Sequence, residues 1–414
     1  MKKFVLILIL LISLIIPINS VNAIDFDLLE GQKEKAGPAV LIADIYVDDD
    51  NTDGPWIGTI KKPFNTINQA LDAANSNETI FVFTGTYNET LFIEKEIKLI
   101  GQNKESTIIN GEYSGNVVRI NSSYVEIKAF TIINSIFDWF SAGIKACGVN
   151  FLDEKKQDIF LSNIKIENCI LKNNDCGIKF SLVKNSYAKD NEIISNKGNG
   201  IYIMYSENIE IKDSTIVNNG LETDGDGIEF FGFYNEICKS IDINNCNIKE
   251  NKHDGISLVS FCKDITIQDN QIINNENSGI NIISNVNESY IIKVERNTIK
   301  QNGRGGLLQG GIYLQDSKTQ LKIVLNEIVD NDKFGVLLTR SSNVQIKKNN
   351  FIDNTKNSFF YYKNTISENI WDYNFWDRPR YLPKAIHGYI YNNNGQYLPW
   401  LEYDFHPTKE PYFI

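Results

Sequence analysis

The feature that most constrains the fold is a short pattern, Asn-x-Ile-x-x-Asn, that recurs along most of the chain. The second Asn of the pattern occurs at Asn173, Asn196, Asn219, Asn251, Asn275, Asn302, Asn331 and Asn354. An Ile stands three residues before each of them, except in the last repeat, which has Phe351. The shortest spacings are 23 and 24 residues. A period of this length is typical of a solenoid built from stacked repeats.

Two further markers divide each repeat into three short strands. A Gly followed by a β-branched residue comes after the Asn, as in Gly200-Ile201 and Gly255-Ile256. Alternating segments such as "IDINNC" and "ITIQDN" come before it. A period of two within these segments predicts strands, with Ile on one buried face and polar residues on the other.

Stacking of repeats explains why the same sequence pattern recurs. A single repeat cannot bury its apolar face, whereas stacked repeats pair every strand with the coils above and below, roughly 4.8 Å away. We expect the Asn side chains to hydrogen-bond from coil to coil at a sharp turn. The Gly supplies backbone freedom where a Cβ atom would clash.

With these repeats, the sequence resembles the right-handed parallel β-helix proteins of the pectin lyase-like superfamily, and its repeats look most like those of the NosD-like group. The resemblance implies an all-β, right-handed parallel β-helix solenoid of about 10 coils. It also implies an N-terminal helical cap and an aromatic-rich C-terminal cap. The superfamily includes lyases, hydrolases, esterases, epimerases and binding proteins, so the fold does not give the function.

The order of segments predicts four regions. Residues 1–23 have the charged, apolar and small-residue order of a secretory signal, which predicts a secreted or cell-surface protein. Residues 24–96 hold a capping helix, with Thr66 as its N-cap, and the first strands. Residues 97–356 hold the repeats, and residues 357–414 form the C-terminal cap. An aromatic platform for sugar rings is the alternative role of this last region.

Charge and hydropathy exclude two classes of partner. The formal net charge is -11, and removal of the two lysines of the signal lowers it to -13. An acidic chain without a basic run argues against nucleic acid as a partner and against the unaided binding of polyanions. No segment after residue 23 has the roughly 18 apolar residues that a membrane span needs, so we expect no transmembrane segment in the mature chain.

Candidate functional residues come from aligning the repeats on the Gly-Ile marker. The residues before Gly form the column Cys176, Asn199, Asp226, Asp254, Ser278 and Gly310. The outward residues after Ile form the column Lys179, Tyr202, Glu229, Ser257, Asn281 and Tyr313. His253 adjoins Asp254. The sequence therefore predicts a catalytic patch of Lys179, Asp226, Glu229, His253 and Asp254, with Tyr202, Asn281 and Tyr313 as substrate-binding residues.

Paired carboxylates have two possible functions here and one structural alternative. Asp226 and Asp254 are expected to hold Ca²⁺ or to share a proton for acid-base catalysis. Solvated Asp-Gly turns are the structural alternative. The segment "TDGDGIE" resembles part of the acid motif of polygalacturonases, but the companion motifs of those enzymes are absent. No complete catalytic set is found, and no cofactor other than Ca²⁺ is predicted.

A second candidate Ca²⁺ site lies near the N-terminus. Asp49, Asn51 and Asp53 match the start of a Ca²⁺-binding loop, but Ile60 occupies the twelfth position, where a Glu is expected. A polar turn without a metal is the alternative.

Cysteines and glycosylation sequons add two minor predictions. Cys238 and Cys262 share one register in neighbouring coils, within reach of a disulfide, although buried reduced thiols are an equal alternative. The sequons at Asn77, Asn88, Asn121 and Asn287 predict exposed positions that a host with the machinery could glycosylate.

Three functions remain open. The first is recognition of an extracellular or cell-surface polysaccharide through an exposed face of the solenoid. The second is modification of a polysaccharide by a lyase, epimerase or hydrolase that uses the carboxylate patch. The third is a structural envelope protein whose partners are proteins only.

Overall fold

The structure is a computed structural model of the 414-residue chain. The residues that it describes are 42–149, 159–223, 225–232, 237–259, 261–284, 291–305, 309–318, 320–363, 368–392, 394 and 396–414. Every element lies in one compact unit, Ala43–Ile414. In this part of the chain, no helix is long and apolar enough to span a bilayer.

Three long parallel sheets form the body of the molecule. Sheet 1 contains β1 (Ile45–Val47), β2 (Glu78–Val82), β5 (Ile97–Gly101), β8 (Glu126–Lys128), β11 (Leu161–Ser162), β12 (Lys165–Glu167), β15 (Val183–Lys189), β18 (Glu207–Lys212), β21 (Cys238–Asn244), β24 (Cys262–Gln268), β27 (Ile291–Glu295), β30 (Gln320–Val324), β33 (Val344–Lys347) and β36 (Ile370–Asp372). Sheet 2 contains β4 (Leu91–Ile93), β7 (Val118–Ile120), β10 (Ile144–Cys147), β14 (Ile178–Ser181), β17 (Ile201–Met204), β20 (Ile228–Phe231), β23 (Ile256–Val259), β26 (Ile280–Ile283), β29 (Gly310–Gln315), β32 (Phe334–Thr339), β35 (Lys356–Lys363), β38 (Lys384–Tyr391) and β39 (Tyr397–Asp404). Sheet 3 contains β3 (Gly85–Asn88), β6 (Thr107–Asn110), β9 (Thr131–Ile133), β13 (Ile170–Lys172), β16 (Glu192–Ile194), β19 (Thr215–Val217), β22 (Asn247–Lys249), β25 (Gln271–Ile273), β28 (Thr298–Lys300), β31 (Glu327–Val329), β34 (Asn350–Ile352) and β37 (Phe375–Trp376).

The chain visits the three sheets in a fixed order. Each coil passes through sheet 1, sheet 3 and then sheet 2, and strands of successive coils pair in parallel. The exception is the last strand, β39, which pairs antiparallel with β38. About 11 turns result, and inward Ile residues of successive coils, such as Ile201, Ile228 and Ile256, stack in a continuous buried core. The predicted all-β parallel β-helix is confirmed.

An amide ladder runs inside the turn between sheets 3 and 2. It consists of the buried or partly buried residues Asn174, Asn196, Asn219, Asn251, Asn275, Asn302, Asn331 and Asn354. At Asn275, for example, Nδ2 donates to Asn302 Oδ1 at 3.0 Å and Oδ1 accepts from Asn251 Nδ2 at 2.9 Å. Each amide also satisfies backbone groups of neighbouring coils, so the predicted coil-to-coil hydrogen bonding is confirmed.

The first member of the ladder differs from the prediction. Asn174, rather than Asn173, bonds Asn196, and Leu171, rather than Ile170, enters the core. The sequence analysis aligned Asn173 because Ile170 stands three residues before it, as the Asn-x-Ile-x-x-Asn pattern requires. The register is set instead by the preceding strand, and this turn is one residue shorter than the next one, from Asn196 to Gly200.

A second amide ladder, between sheets 1 and 3, was not predicted. It joins Asn270, Asn297, Asn326, Asn349 and Asn374, all buried. These residues are the first Asn of the repeat, or occupy its position. The ladder ends at Asp404, whose Oδ2 accepts from Asn374 Nδ2 at 3.1 Å and from Trp376 Nε1 at 3.0 Å.

One short helix, α1 (Ile67–Ala73), packs against the first coil. Thr66 is its N-cap as predicted, and Thr66 Oγ1 accepts from Gln69 N at 3.2 Å. Glu89 accepts from the first helical N–H groups, and Lys95 Nζ donates to Leu71 O at 3.2 Å near the other end. Opposite charges therefore satisfy the free backbone groups at the two helix ends.

Candidate functional site

The outward column that the sequence predicted on sheet 2 is confirmed by the strand register. Lys179 pairs with Tyr202, Tyr202 with Glu229, and the column continues through Ser257 and Asn281. It also extends in the other direction, because Lys179 pairs with Lys145 and Lys145 pairs with Arg119. Three cationic side chains thus stand next to each other on adjacent strands, ahead of Tyr202 and Glu229.

The column before Gly forms a third ladder, in which side chains hold the backbone of the next coil. Asn199 Oδ1 accepts from Asp226 N at 2.7 Å, and Asp226 Oδ1 accepts from Asp254 N at 2.8 Å. Asp254 Oδ1 then accepts from Ser278 N at 2.7 Å. We call Asn199, Asp226, Asp254 and Ser278 the acid ladder. Both aspartates are therefore turn residues with a structural role, and both are buried.

His253 sits between the two buried carboxylates. His253 Nδ1 lies 2.6 Å from Asp226 Oδ1 and 3.5 Å from Asp254 Oδ2, and a third of its side chain is exposed. Asn281 Nδ2 donates to Asp254 Oδ2 at 2.7 Å. We call Asp226, His253 and Asp254 the acidic cluster.

The environment of the acidic cluster favours the protonated form of its carboxyl groups. Burial, together with the negative charge of Asp254, raises the pKa of Asp226 to about 7, although the hydrogen bond from His253 works against this shift. Burial likewise raises the pKa of Asp254, while His253 and the hydrogen bonds from Asn281 and Ser278 oppose it. Two negative charges one coil apart repel each other and destabilise the folded state. The neutral residues of the amide ladder cause no such repulsion.

A groove of about 560 Å³ opens on the outer face of sheet 2 beside the acid ladder. Its walls include Trp139 and Phe140, which are 70% and 72% exposed. Its floor contains Lys145, Lys179 and Tyr202. The remaining lining residues are Cys147, Asp175, Cys176, Ser181, Gly198, Asn199, Met204, Thr223, Gly225, Glu229 and Phe231.

The loop that carries the two exposed aromatic residues is fixed at both ends. Asp138 Oδ1 accepts from Phe140 N at 3.0 Å and from Ser141 N at 2.7 Å. From the floor, Lys179 Nζ donates to Trp139 O at 3.0 Å and Lys145 Nζ donates to Phe140 O at 2.9 Å. The two lysines therefore hold the aromatic wall over the groove.

Titratable groups of the groove have pKa values shifted toward their neutral forms. Burial raises the pKa of Asp175 to about 6 and also raises the pKa of Glu229. Burial and the nearby charge of Lys179 lower the pKa of Lys145. Burial also raises the pKa of Tyr202, over whose ring Lys179 Nζ lies at 5.1 Å from the centroid. Such a set of shifted groups in one concave surface is typical of functional sites.

The predicted catalytic patch is thus divided between two neighbouring places. Lys179 and Glu229 line the groove, whereas Asp226, His253 and Asp254 form the acidic cluster in the adjoining turn. Asn199 links the two, since its Nδ2 donates to Glu229 Oε2 at 2.6 Å and its Oδ1 accepts from Asp226 N.

The predicted substrate-binding residues also separate. Tyr202 lies in the groove. Asn281 is bonded to Asp254, and Tyr313 packs against the apolar group of Phe334, Leu337 and Phe359 farther along the sheet.

The donor atoms of the acidic cluster fit a divalent cation in part. Ligand atoms of Asp226, His253 and Asp254 lie within 4.8 Å of one another, and no other set of three such residues does so in the ranges that the structure describes. Carboxylate oxygens suit Ca²⁺, but the imidazole nitrogen suits Zn²⁺ or another transition metal better.

The N-terminal candidate site makes other contacts. Asp49 Oδ2 accepts from Thr86 N at 2.9 Å, and Asn51 Nδ2 donates to Pro63 O at 2.6 Å. Asp53 Oδ1 lies 3.5 Å from Thr52 Oγ1. The three side chains are engaged separately with neighbouring groups of the N-terminal coil.

Cysteines and sequons are placed as follows. Cys238 and Cys262 are cross-strand neighbours, as the shared register predicted, and both are free thiols in the structure. Asn77, Asn88 and Asn121 are exposed. The fourth sequon residue, Asn287, lies outside the described residues.

Several groove residues were missed by the sequence analysis, although a pattern for one of them is present. "GIK" occurs twice, at residues 143–145 and 177–179, so the Gly-Ile marker extends one coil further and identifies Lys145. Asp175 was missed because it lies in the shortened turn. Trp139 and Phe140 lie in an insertion between β9 and β10, which no repeat alignment covers.

A family model described as "Right handed beta helix region" matches residues 97–292 and 232–395. These matches together span well over half of the chain. The chain belongs to the right-handed β-helix family.

Individual relatives of this β-helix protein are distant. A pectate lyase PEL9 of Emericella nidulans is 40% identical over 83 residues, which are 18% of this chain and 20% of that protein. The chain therefore matches only a fifth of this curated relative. Among solved structures, the A-module of the Azotobacter vinelandii mannuronan C-5 epimerase AlgE4 has a TM-score of 0.56 at 15% identity, over 75% of this chain and 95% of that module. A GH87 α-1,3-glucanase catalytic unit from Streptomyces thermodiastaticus has a TM-score of 0.53 at 14% identity, over 92% and 69% of the two chains. These two likenesses show the fold.

Proposed function

We propose that this β-helix protein binds an anionic polysaccharide in the groove on sheet 2. The observation that supports the proposal is the combination of an exposed aromatic wall with a cationic floor. Trp139 and Phe140 offer apolar ring faces to the sugar rings, and Arg119, Lys145 and Lys179 form one basic column on adjacent strands. This basic column stands out against the net charge of -11.

The names of the relatives support the class of ligand. Pectate and mannuronan, named in two of them, are both polymers of uronic acids, whose carboxylates pair well with clustered Lys and Arg side chains. The α-1,3-glucan named in the third is neutral. Charge complementarity at Lys145 and Lys179 favours the uronates.

Affinity electrophoresis of the purified chain through gels that contain pectate, polymannuronate or α-1,3-glucan tests this proposal. We expect retardation by a uronate polymer that weakens as salt rises, and no retardation by the neutral glucan. Trp139→Ala should weaken the binding by roughly tenfold, the scale of one lost aromatic stacking contact. Tyr124→Ala is the matched control, since Tyr124 is also well exposed, at 58% against 70% for Trp139, and lies in another turn. If a uronate polymer retards Trp139→Ala and Tyr124→Ala equally, the polymer binds outside the groove.

Modification of the bound polysaccharide is the second candidate function. It is favoured by the shifted pKa values, because a lysine of lowered pKa can accept a proton from a sugar carbon and a carboxylic acid of raised pKa can donate one. Lys145, Asp175 and Glu229 all line the groove, so Lys145 is the candidate for the first role and Asp175 or Glu229 for the second. Abstraction of the proton next to a uronate carboxylate is the step shared by lyases and epimerases.

Product analysis separates binding from catalysis. Incubation with each polymer should be followed by absorbance for unsaturated ends, by reducing-end assay and by NMR for inverted sugars. Lys145→Met should abolish product formation. It should also weaken polymer binding, because it removes one charge of the basic column and one hydrogen bond to the aromatic wall. If no product forms with any polymer in the wild type, the catalytic candidate is wrong and the binding proposal is unaffected.

The acidic cluster is proposed as a cation site that supports the groove. Asp226, His253 and Asp254 would hold the ion. Asn199 would then orient Glu229 relative to Asp226, because it forms hydrogen bonds with both residues. Ca²⁺ and Zn²⁺ titrations by calorimetry test this assignment and compare the two ions.

Export remains part of the proposal. The predicted signal, residues 1–23, lies outside the described residues. Fractionation of host cells and N-terminal sequencing of the processed chain test secretion or surface location. Copurification with envelope proteins, without any retention by polysaccharide, would favour the structural alternative.

A further inference from the structure

The outer face of sheet 2 carries a second concave surface far from the groove. It is a cleft of about 860 Å³, lined by Thr339, Arg340, Tyr361, Tyr362, Tyr389, Tyr391 and Tyr397. We call the four residues Tyr361, Tyr389, Tyr391 and Tyr397 the aromatic platform. They lie on the last three strands of the sheet, β35, β38 and β39.

Ring contacts hold the platform together. Tyr361 and Tyr389 are stacked with centroids 6.0 Å apart and an interplanar angle of 20°. Tyr397 closes the far side, with its centroid 6.4 Å from Tyr389 and 5.0 Å from Tyr391. Among the described residues, the phenol hydroxyls of these four tyrosines have no hydrogen-bond partner, so a ligand can use both ring faces and hydroxyl groups.

The alignment of strands connects the platform with the groove. Met204 and Phe231 of the groove belong to one outward column of sheet 2, which continues through Val259, Ile283 and Gln315. The same column then reaches Thr339, Tyr361 and Tyr389. From Phe231 to Tyr361 there are five strand spacings, or about 24 Å at roughly 4.8 Å each.

We propose that the aromatic platform is a second binding site for the same polysaccharide chain. This inference rests on the proposed function. An extended polymer lying along the solenoid axis contacts the groove at one end and the platform at the other. Binding at the first site makes binding at the second intramolecular, so long polymers bind more tightly than short oligosaccharides that reach only the groove.

The chemistry of the platform favours a glycan over a protein partner. Tyrosine combines an apolar ring, which packs on a sugar face, with a hydroxyl at its edge, which bonds sugar hydroxyls. Arg340 adds a guanidinium group at the rim, already paired with Asp316. Among the described residues, no Leu, Ile, Val or Met side chain lines the cleft.

Binding of a uronate polymer and of its size-fractionated oligosaccharides to four variants tests the inference. Tyr389→Ala with Tyr397→Ala should weaken polymer binding about tenfold and leave short oligosaccharides at wild-type affinity. Trp139→Ala should weaken both, and Tyr124→Ala should weaken neither. Tyr397→Ala alone, at a 62% exposed position, guards against misfolding of the double variant. Thermal midpoints of all variants report on the fold.

The outcomes separate the two sites. If the platform variants bind polymer like the wild type while Trp139→Ala does not, the second site is wrong and the groove stands. If the platform variants lose the polymer and Trp139→Ala keeps it, the platform stands and the groove does not. If light scattering shows that the platform variants convert a dimer into a monomer without any change in polymer binding, the surface is a contact between copies of this chain and the inference is wrong.

Discussion

The amide ladder and the acid ladder perform the same structural task with different chemical groups. In both, a side-chain oxygen accepts the backbone N–H of a neighbouring coil, as Asn275 does for Asn251 and Asp226 does for Asp254. The amide ladder is neutral throughout. In the acid ladder Asn199 accepts the backbone N–H of Asp226, which shows that the turn does not need a carboxylate.

This difference shows which buried polar residues are needed for the hydrogen bonds of the fold itself. Asn275 is explained completely, because every hydrogen-bonding atom of its amide has a partner. Asp226 and Asp254 are explained only in part, since an Asn would hold the same backbone N–H without the cost of a buried charge. The excess negative charge beside His253 therefore points to function.

The largest expected effect comes from breaking the amide ladder. Asn275→Ala should lower the free energy of unfolding by about 3 to 5 kcal/mol, because the change leaves buried groups of Asn251 and Ile248 without partners. Asn275→Asp should cost at least as much, since it buries a charge there. Denaturant unfolding at pH 7 measures both. A loss below about 1 kcal/mol would show that the ladder is not a source of stability.

A divalent cation should stabilise the folded protein through the acid ladder and not through the amide ladder. At a hundredfold excess over its Kd, a bound ion adds about 2.7 kcal/mol to the stability of the folded state. We expect thermal scans with Zn²⁺ or Ca²⁺ to show this for the wild type and for Asn208→Gly, but not for His253→Ala or Asp254→Asn. An equal rise in all four proteins would assign the ion to another place.

Asp226→Asn should remove a dependence of stability on pH. The folded pKa of Asp226, about 7, lies above the ordinary value near 3.8, so the folded state binds the proton more tightly than the unfolded state. This contribution is fully present below pH 4 and is lost as the pH rises toward 7. We expect the wild type to lose roughly 1.4 kcal/mol per pH unit relative to the variant, or about 3 kcal/mol between pH 4.5 and 7. Parallel unfolding curves at pH 4.5 and 7.5 check the sign, and a steeper loss in the variant would contradict it.

The smallest effect is expected at an amide pair outside the ladders. Asn208 Nδ2 donates to Asn185 Oδ1 at 2.7 Å, but this pair is exposed to solvent. Asn208→Gly, which also suits the positive φ of 52°, should change the stability by less than about 0.5 kcal/mol. A loss comparable to that of Asn275→Ala would show that burial is not what distinguishes the ladder.

Repeats made most of the fold predictable. The Gly-Ile marker set the register of sheet 2 from Lys179 to Tyr313, and the inward Ile residues defined the core. The error at Asn173 arose because Asn173 and Asn174 are adjacent. The unusually short turn after them places Asn174, and not Asn173, in the amide ladder. The second amide ladder was missed because its column includes Cys169, Cys246 and Ser214, which hide the pattern of Asn residues.

The site was less predictable, since function depends on departures from the repeat. Asp226, His253 and Asp254 were found because they belong to a repeated column. Trp139 and Phe140 come from an insertion, whose position over the groove depends on Asp138 and on two lysine side chains. Periodicity contains no information about such contacts.

Asp404 gives the second amide ladder an electrical direction. Every amide from Asn270 to Asn374 donates toward the later coil, so the amide dipoles add head to tail as peptide dipoles do in an α-helix. The positive pole of this array lies at the C-terminal end, where a buried carboxylate that can only accept meets it. A coil added at that end would therefore need an Asn in place of Asp404 and a new acidic residue one coil further on, whereas coils inserted within the array need only another Asn.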